Sequence, residues 1–269
     1  MESIKITLVF IFIAILTLSC EEVVNINLKQ SEPKNTIDAS ISEGTPCKIF
    51  MTKSQAFRNN SPYERVGGAF IELVSSEGER ETLKESSREP GLYVSRMIGK
   101  VNLTYNLKIQ VDEDMYEASA TIPQAVLIDR VYIYEIKAGS KSWYSPAIVF
   151  QDPPEEENYY YTILSVNEKI MRTIYLNDDK NRNGLERHRI LFFDKEDNDD
   201  EDLKTGDQLN VEMQTLDKGM YIFYKSLYSV AEGTNAITNF TGGAYGCFKA
   251  YNSSFISAVV SQDIVESGK

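Results

Sequence analysis

Leu103-Thr104-Tyr105-Asn106-Leu107-Lys108-Ile109-Gln110-Val111 is the stretch that decides the fold. Leu103, Tyr105, Leu107, Ile109 and Val111 alternate with Thr104, Asn106, Lys108 and Gln110. A period of two puts every second side chain on one face of an extended chain, so this is a strand with a dry and a wet side. Asp112-Glu113-Asp114 turns the chain, and residues 115–122 return as the second arm of a hairpin. Upstream, residues 69–74 run into the polar turn Ser75-Ser76-Glu77-Gly78 and come back through residues 80–83. Pro90-Gly91 then opens a strand over residues 92–97. Short strands punctuated by glycine, proline and acidic turns predict a β-sandwich over residues 35–125, with Pro123 ending the ladder because it has no N–H to donate.

Residues 126–269 predict a larger, antiparallel β domain. Residues 127–137 are apolar on both faces, as a central strand requires. Further strands are expected at 147–151, 159–166, 170–176, 189–193, 209–213, 244–251 and 255–260. One stretch departs from the period of two: Met220, Phe223, Tyr224, Leu227 and Tyr228 follow helical spacing, Asp217 is placed to cap the start, and Gly233 lies past the end. One helix packed on a mainly β domain is the expectation. The arrangement of Val66-Gly67-Gly68-Ala69, Pro90-Gly91-Leu92-Tyr93 and Tyr105-Asn106-Leu107-Lys108-Ile109 resembles the small immunoglobulin-like or prealbumin-like modules of exported bacterial proteins.

The N-terminus reads as an address. Lys5 precedes a run, residues 6–18, that is apolar apart from Thr7 and Thr17, and Ser19-Cys20 follow. The run is too short to span a hydrocarbon core of about 30 Å, so residues 1–19 are expected to be a signal peptide. Leu16-Thr17-Leu18-Ser19-Cys20 resembles the lipobox of bacterial lipoproteins, with Thr17 where leucine is usual. That resemblance implies acylation of Cys20, a lipid-anchored tether over residues 20–34, and a membrane partner reached through the lipid alone. The alternative is an ordinary secreted protein. Glu21-Glu22 resembles the acidic tag that sends Bacteroidota lipoproteins to the outer face of the outer membrane, against the alternative of a periplasm-facing anchor.

Forty acidic against 28 basic residues leave a net charge of −12, which argues against nucleic acid and anionic lipid as partners. Apart from Cys20, only Cys47 and Cys247 remain. Export permits a disulfide between them, whereas their separation suits two isolated buried thiols.

Chemistry-bearing motifs are few. The single histidine, His188, lies between Arg187 and Arg189 and reads as a solvent-facing strand or loop residue. There is no P-loop, no G-x-G-x-x-G after a strand and no C-x-x-C. Asp179-Lys180-Asn181-Arg182-Asn183-Gly184 reproduces the opening of a calcium loop, in which alternate oxygens converge on one ion. Asp179, Asn181, Asn183 and Glu186 are the candidate ligands, although Ile190 stands where the bidentate glutamate belongs. The competing reading is a plain Asn/Asp/Gly loop between strands. Residues 194–202, nearly all acidic, form a second ion attractor or a solvated loop. Trp143 and Tyr144, in the small-residue setting Gly139-Ser140-Lys141-Ser142-Trp143-Tyr144-Ser145-Pro146, are candidates for stacking on a sugar or anchoring a peptide or protein. Alternatively, Trp143 opens a strand and plugs the edge of the core.

The order of several blocks resembles family 4249 of the domains of unknown function, lipoproteins of Bacteroidota. The blocks are Cys20-Glu21-Glu22, Phe150-Gln151-Asp152-Pro153 with Asn158-Tyr159-Tyr160, Gly206-Asp207, Tyr221-Ile222-Phe223-Tyr224, and Thr241-Gly242-Gly243-Ala244-Tyr245-Gly246-Cys247-Phe248. The resemblance implies a noncatalytic cell-envelope lipoprotein, accessory to a TonB-dependent outer-membrane β-barrel receptor. It implies no catalytic residues. An enzyme acting on carbohydrate or peptide, and an adhesive surface module, are the alternatives.

Overall fold

Alternation at every second residue builds the first core. Ile37, Ala39 and Ile41 on strand β1 (Asn35–Ser42) and Cys47, Ile49 and Met51 on β2 (Pro46–Lys53) are all essentially inaccessible to solvent. The computed structural model describes residues 32–55, 61–154, 157–180, 183–230 and 233–267, and every element belongs to the unit that starts at Pro33. The expected signal peptide, Cys20 and Glu21-Glu22 lie outside the described residues. Among those residues, no helix is long and apolar enough to cross a membrane.

The strands β3 (Phe70–Ser75), β4 (Arg80–Glu85), β5 (Leu92–Ile98), β6 (Thr104–Val111) and β7 (Asp114–Thr121) follow. The alternating stretch is β6, where Tyr105, Leu107, Ile109 and Val111 face inward and pair with β7 in register from Thr104↔Thr121 to Val111↔Asp114. Only Lys84 and Glu85 of β4 pair with β5; beyond them the Glu81 carboxylate accepts the N–H groups of Arg96 and Met97. The sheet folds over at this seam, and the inner faces of β1 to β7 share one core. Strands β1 and β2 go beyond those read from the sequence.

The rest of the chain forms β8 (Arg130–Ala138), β9 (Lys141–Gln151), β10 (Tyr159–Val166), β11 (Lys169–Ile170), β12 (Tyr175–Asp178), β13 (Glu186–Ile190), β14 (Gln208–Leu216), α1 (Lys218–Leu227), β15 (Tyr245–Val259) and β16 (Val265–Ser267). Twelve strands make one large sheet, running β11-β10-β14-β15-β1-β2-β5-β4-β3-β6-β7 with β12 on β10; a four-stranded sheet runs β13-β9-β8-β16. The small sheet and the β10-β14-β15 part of the large one enclose a second core that includes Ile133, Ile148, Phe150, Tyr160, Leu164, Val211 and Met213. Among the described residues the protein is mainly β, with sandwiched sheets and a single packed α-helix, as the sequence predicts. Helix α1 starts where expected, with Met220 N–H donating to Asp217 Oδ1 at 2.8 Å. It lays Met220 and Tyr221 on Tyr159 and Leu216.

Strand β15 corrects the expectation of two strands there. Residues 245–251 pair in parallel with β1, and residues 251–259 pair antiparallel with β14. The apparent turn, Asn252-Ser253-Ser254, is extended and bonded: Asn252 donates to Glu43, and Ser253 to Glu212. Close approach of β15 to β1 depends on Gly246, at φ 98°, where a Cβ would overlap the Ile37 carbonyl oxygen. Cys47 and Cys247 are both free and buried, and burial pushes each thiol up to about 12.

Candidate functional site

Trp143 and Tyr144 lie inside β9, not on a loop, and are 48% and 40% exposed. Trp143 therefore does not plug the core. They line a cavity of about 590 Å³ together with Lys141, Ser142, Ser145, Phe193, Asp194, Lys195, Asp202 and Leu203. A space of that size falls in the range of small-ligand and peptide sites.

One wall is β9; the other is the acidic run, mostly exposed but ordered around a single buried carboxylate, Asp197. Asp194 caps a 3-10 turn at Lys195–Asn198, its Oδ1 accepting from Glu196 N–H at 3.0 Å. Asp197 is buried and takes three donors: Arg172 Nε at 2.6 Å, Arg172 N–H at 2.8 Å and Thr173 N–H at 3.2 Å. The hydrogen-bonded Arg172 guanidinium holds the Asp197 carboxyl below its usual range. Lys169 pairs with Asp199 at 2.7 Å. These contacts take residues 171–174 out of the strand expected over 170–176. At the near end, Phe193 N–H donates to Ser145 Oγ at 3.1 Å, and Tyr175 O–H to the Phe192 carbonyl at 2.8 Å.

Within the groove Lys141, Lys195 and Asp202 make no ion pair among the described residues. The lining presents three aromatic side chains, two free ammonium groups and carboxylates, with neither histidine nor cysteine. Such a surface binds by stacking, hydrogen bonding and charge.

Three of the four calcium-loop candidates fall among the described residues. Asp179 is buried, with Oδ2 accepting Asn158 N–H at 2.8 Å. Glu186 sits on β13, its carboxylate 3.0 Å from His188 Nε2. Asn183 precedes Gly184, whose N–H goes to the Asp152 carboxylate. Asn181 lies outside the described residues. Among the described residues, no three acidic, histidine or cysteine side chains stand together as a metal site. His188 is half-exposed on the strand and 3.3 Å from the Tyr132 hydroxyl.

The remaining motifs hold the scaffold. Tyr160 donates its O–H to the fully buried Asp152, and its ring lies 4.9 Å from Phe150. Tyr159 stacks on Tyr221 at 4.5 Å, and Tyr221 donates to Asp178 at 2.7 Å. Burial raises the phenol of Tyr160 far above its ordinary value.

Fold and groove together define a two-core β-sandwich protein with an aromatic, mixed-charge surface cleft. The chain belongs to the family described as Domain of unknown function (DUF4249), whose model matches residues 21–256. No curated protein matches the sequence. Among solved structures it is similar to a DUF4785 family protein from Legionella pneumophila subsp. pneumophila str. Philadelphia 1, at 9% identity and a TM-score of 0.25. That match covers 68% of this chain and 52% of the other, so the chain spans about half of that protein's length.

Proposed function

We propose that this protein is a noncatalytic binding subunit of the cell envelope. Its Cys20 lipid holds it on the outer membrane, facing the cell surface, where it serves a TonB-dependent receptor in ligand capture. The groove carries this reading: Trp143 and Tyr144 stand exposed above a cavity whose lining has no imidazole or thiol. Large exposed aromatics surrounded by free charges are the composition of a recognition site. The signal-like residues 1–19 and the cysteine after them support the anchor. Two or more acyl chains, at about 0.8 kcal/mol per buried CH₂, anchor a body that needs no membrane helix.

Detergent extraction through a C-terminal affinity tag, followed by mass spectrometry, tests the reading. A co-purifying outer-membrane β-barrel and acylated Cys20 are expected, with Cys20→Ser releasing the protein from the membrane. Recovery of a soluble, unacylated protein without a barrel would overturn it. So would turnover of glycans or peptides that disappears on changing a groove carboxylate.

A further inference from the structure

Five consecutive residues of β9, 141 to 145, line the groove. Neighbouring side chains of a strand point to opposite faces, so a cavity above one face meets only every second residue. A cavity that meets all five runs along the strand's edge.

The ladder shows which edge. Pro146 carbonyl accepts Leu191 N–H, and Asp152 N–H donates to the Leu185 carbonyl; both partners flank β13. Val149 carbonyl instead accepts Asp129 N–H, on the β8 side. Even-numbered residues of β9 thus turn their backbone groups toward β13 and odd-numbered ones toward β8. By that parity, the N–H and C=O of Ser142 and Tyr144 face away from β8, along the line that β13 would occupy if it continued.

It does not continue. Its pairing ends at Ile190↔Ala147, followed by the single Leu191–Pro146 bond. Pro146 has no N–H to return, so the two-way exchange fails there and the chain peels away. Phe193, which the register would set opposite Tyr144, gives its N–H to the Ser145 hydroxyl instead. The acidic loop stands off from the strand by the width of the groove. Among the described residues, nothing bonds to the outward backbone groups of Ser142 and Tyr144.

We infer that the groove takes an extended polypeptide segment, which adds as a strand to the open edge of β9 in the place β13 vacates. This rests on the groove being the ligand site proposed above, and names its ligand class. Backbone pairing to Ser142 and Tyr144 supplies register, while Trp143 and Tyr144, on opposite faces, clamp the added strand from both sides. Lys141 and Lys195 against Asp194 and Asp202 offer both signs of charge to its side chains. A sugar would use the aromatic rings but has no means of extending the ladder.

The test uses the full acylated chain in detergent and three probes. The first is a panel of labelled octapeptides alternating valine and threonine, with lysine, glutamate, both or neither at the ends. The second is the same panel N-methylated at alternate backbone nitrogens, and the third is cellohexaose. Strand addition predicts peptide binding by fluorescence anisotropy that falls about tenfold or more on N-methylation, the loss of roughly one or two hydrogen bonds. Hydrogen exchange should slow at residues 142 and 144. Ser142→Pro, which deletes an N–H the β8 ladder does not use, should weaken binding to the same extent, whereas Ser142→Ala should not. The inference is overturned if no peptide binds, if methylated and parent peptides bind alike, or if exchange at 142 and 144 is unchanged. Cellohexaose binding that depends on Trp143 but leaves those amides unprotected would also overturn it, while leaving the groove as the binding site. Failure of the receptor reading is seen separately, in the co-purification.

Discussion

Gly246→Ala tests the join between the two cores. Alanine at φ 98° costs about 1–2 kcal/mol for the left-handed backbone alone. Its Cβ would also overlap the Ile37 carbonyl oxygen, a backbone atom that cannot swing aside. β1 and β15 must then separate near the Ile37↔Gly246 pair, loosening two or three ladder hydrogen bonds at about 1 kcal/mol each. The total is about 3–5 kcal/mol, which for a body of this size lowers Tm by roughly 10 °C. Gly243→Ala is the control: at φ 82° it carries the backbone cost, but a Cβ there meets no atom within 4 Å. Its Tm should fall by only about 2–4 °C. Thermal melts followed by circular dichroism, with urea midpoints alongside, separate the two. Equal losses would refute the argument, because Gly243 shares the positive φ but lacks the approach of β1.

Asp217 is pushed up to about 6 from an ordinary 3.8 by burial, so between those values the unfolded chain ionises first and stability falls as pH rises. Asp217→Asn keeps an accepting oxygen for Met220, and should match the parent near pH 4 but exceed it by up to about 3 kcal/mol at pH 7.5 in urea titrations. Tyr160→Phe strips the phenol from the buried Asp152 carboxylate, and should cost about 1–3 kcal/mol by urea midpoint. Arg172→Ala removes one of the three donors to Asp197; protease cleavage within residues 194–202 should speed up, and peptide affinity at the groove should fall. Cys47 and Cys247, with thiols at about 12, should resist a thiol reagent at pH 8 until denaturant is added; reaction of either in the native state would contradict the packing.

The fold class was legible wherever one period ran unbroken. Strand β6 and helix α1 are of that kind, because a single face of each meets a core. β1 carries the same signal in Ile37, Ala39 and Ile41, yet it follows a stretch that reads as tether. β15 was illegible as one strand: Asn252-Ser253-Ser254 has turn composition, and only distant partners, Glu43 and Glu212, make it extended. The same holds for the sites. Trp143 and Tyr144 announce themselves as large aromatics among small residues. The opposite wall does not, since nothing in a run of acidic residues marks Asp197 as the one buried against Arg172. The calcium-like loop shows the converse. Its spacing is local, but Asp179 is turned inward by Asn158, a residue brought close by the pairing of β10 with β12.

Two features of opposite character make the groove. Proline in a strand weakens pairing on one side only, and parity turns the missing N–H of Pro146 toward β13 rather than β8. The hairpin of β8 and β9 therefore stays intact up to Lys141↔Ala138 while its other edge opens. An open edge invites self-association, and proteins guard such edges with charge or cover. Here Lys141 and Lys195 supply the charge, and the acidic loop supplies a cover that is pinned at Asp197, Asp199 and Phe193 and stands clear between them. A loop packed directly on β9 would have protected the edge at no structural disadvantage. One tied down on basic residues of another segment, leaving room for a strand, protects it against a second copy while keeping it accessible to a single extended chain.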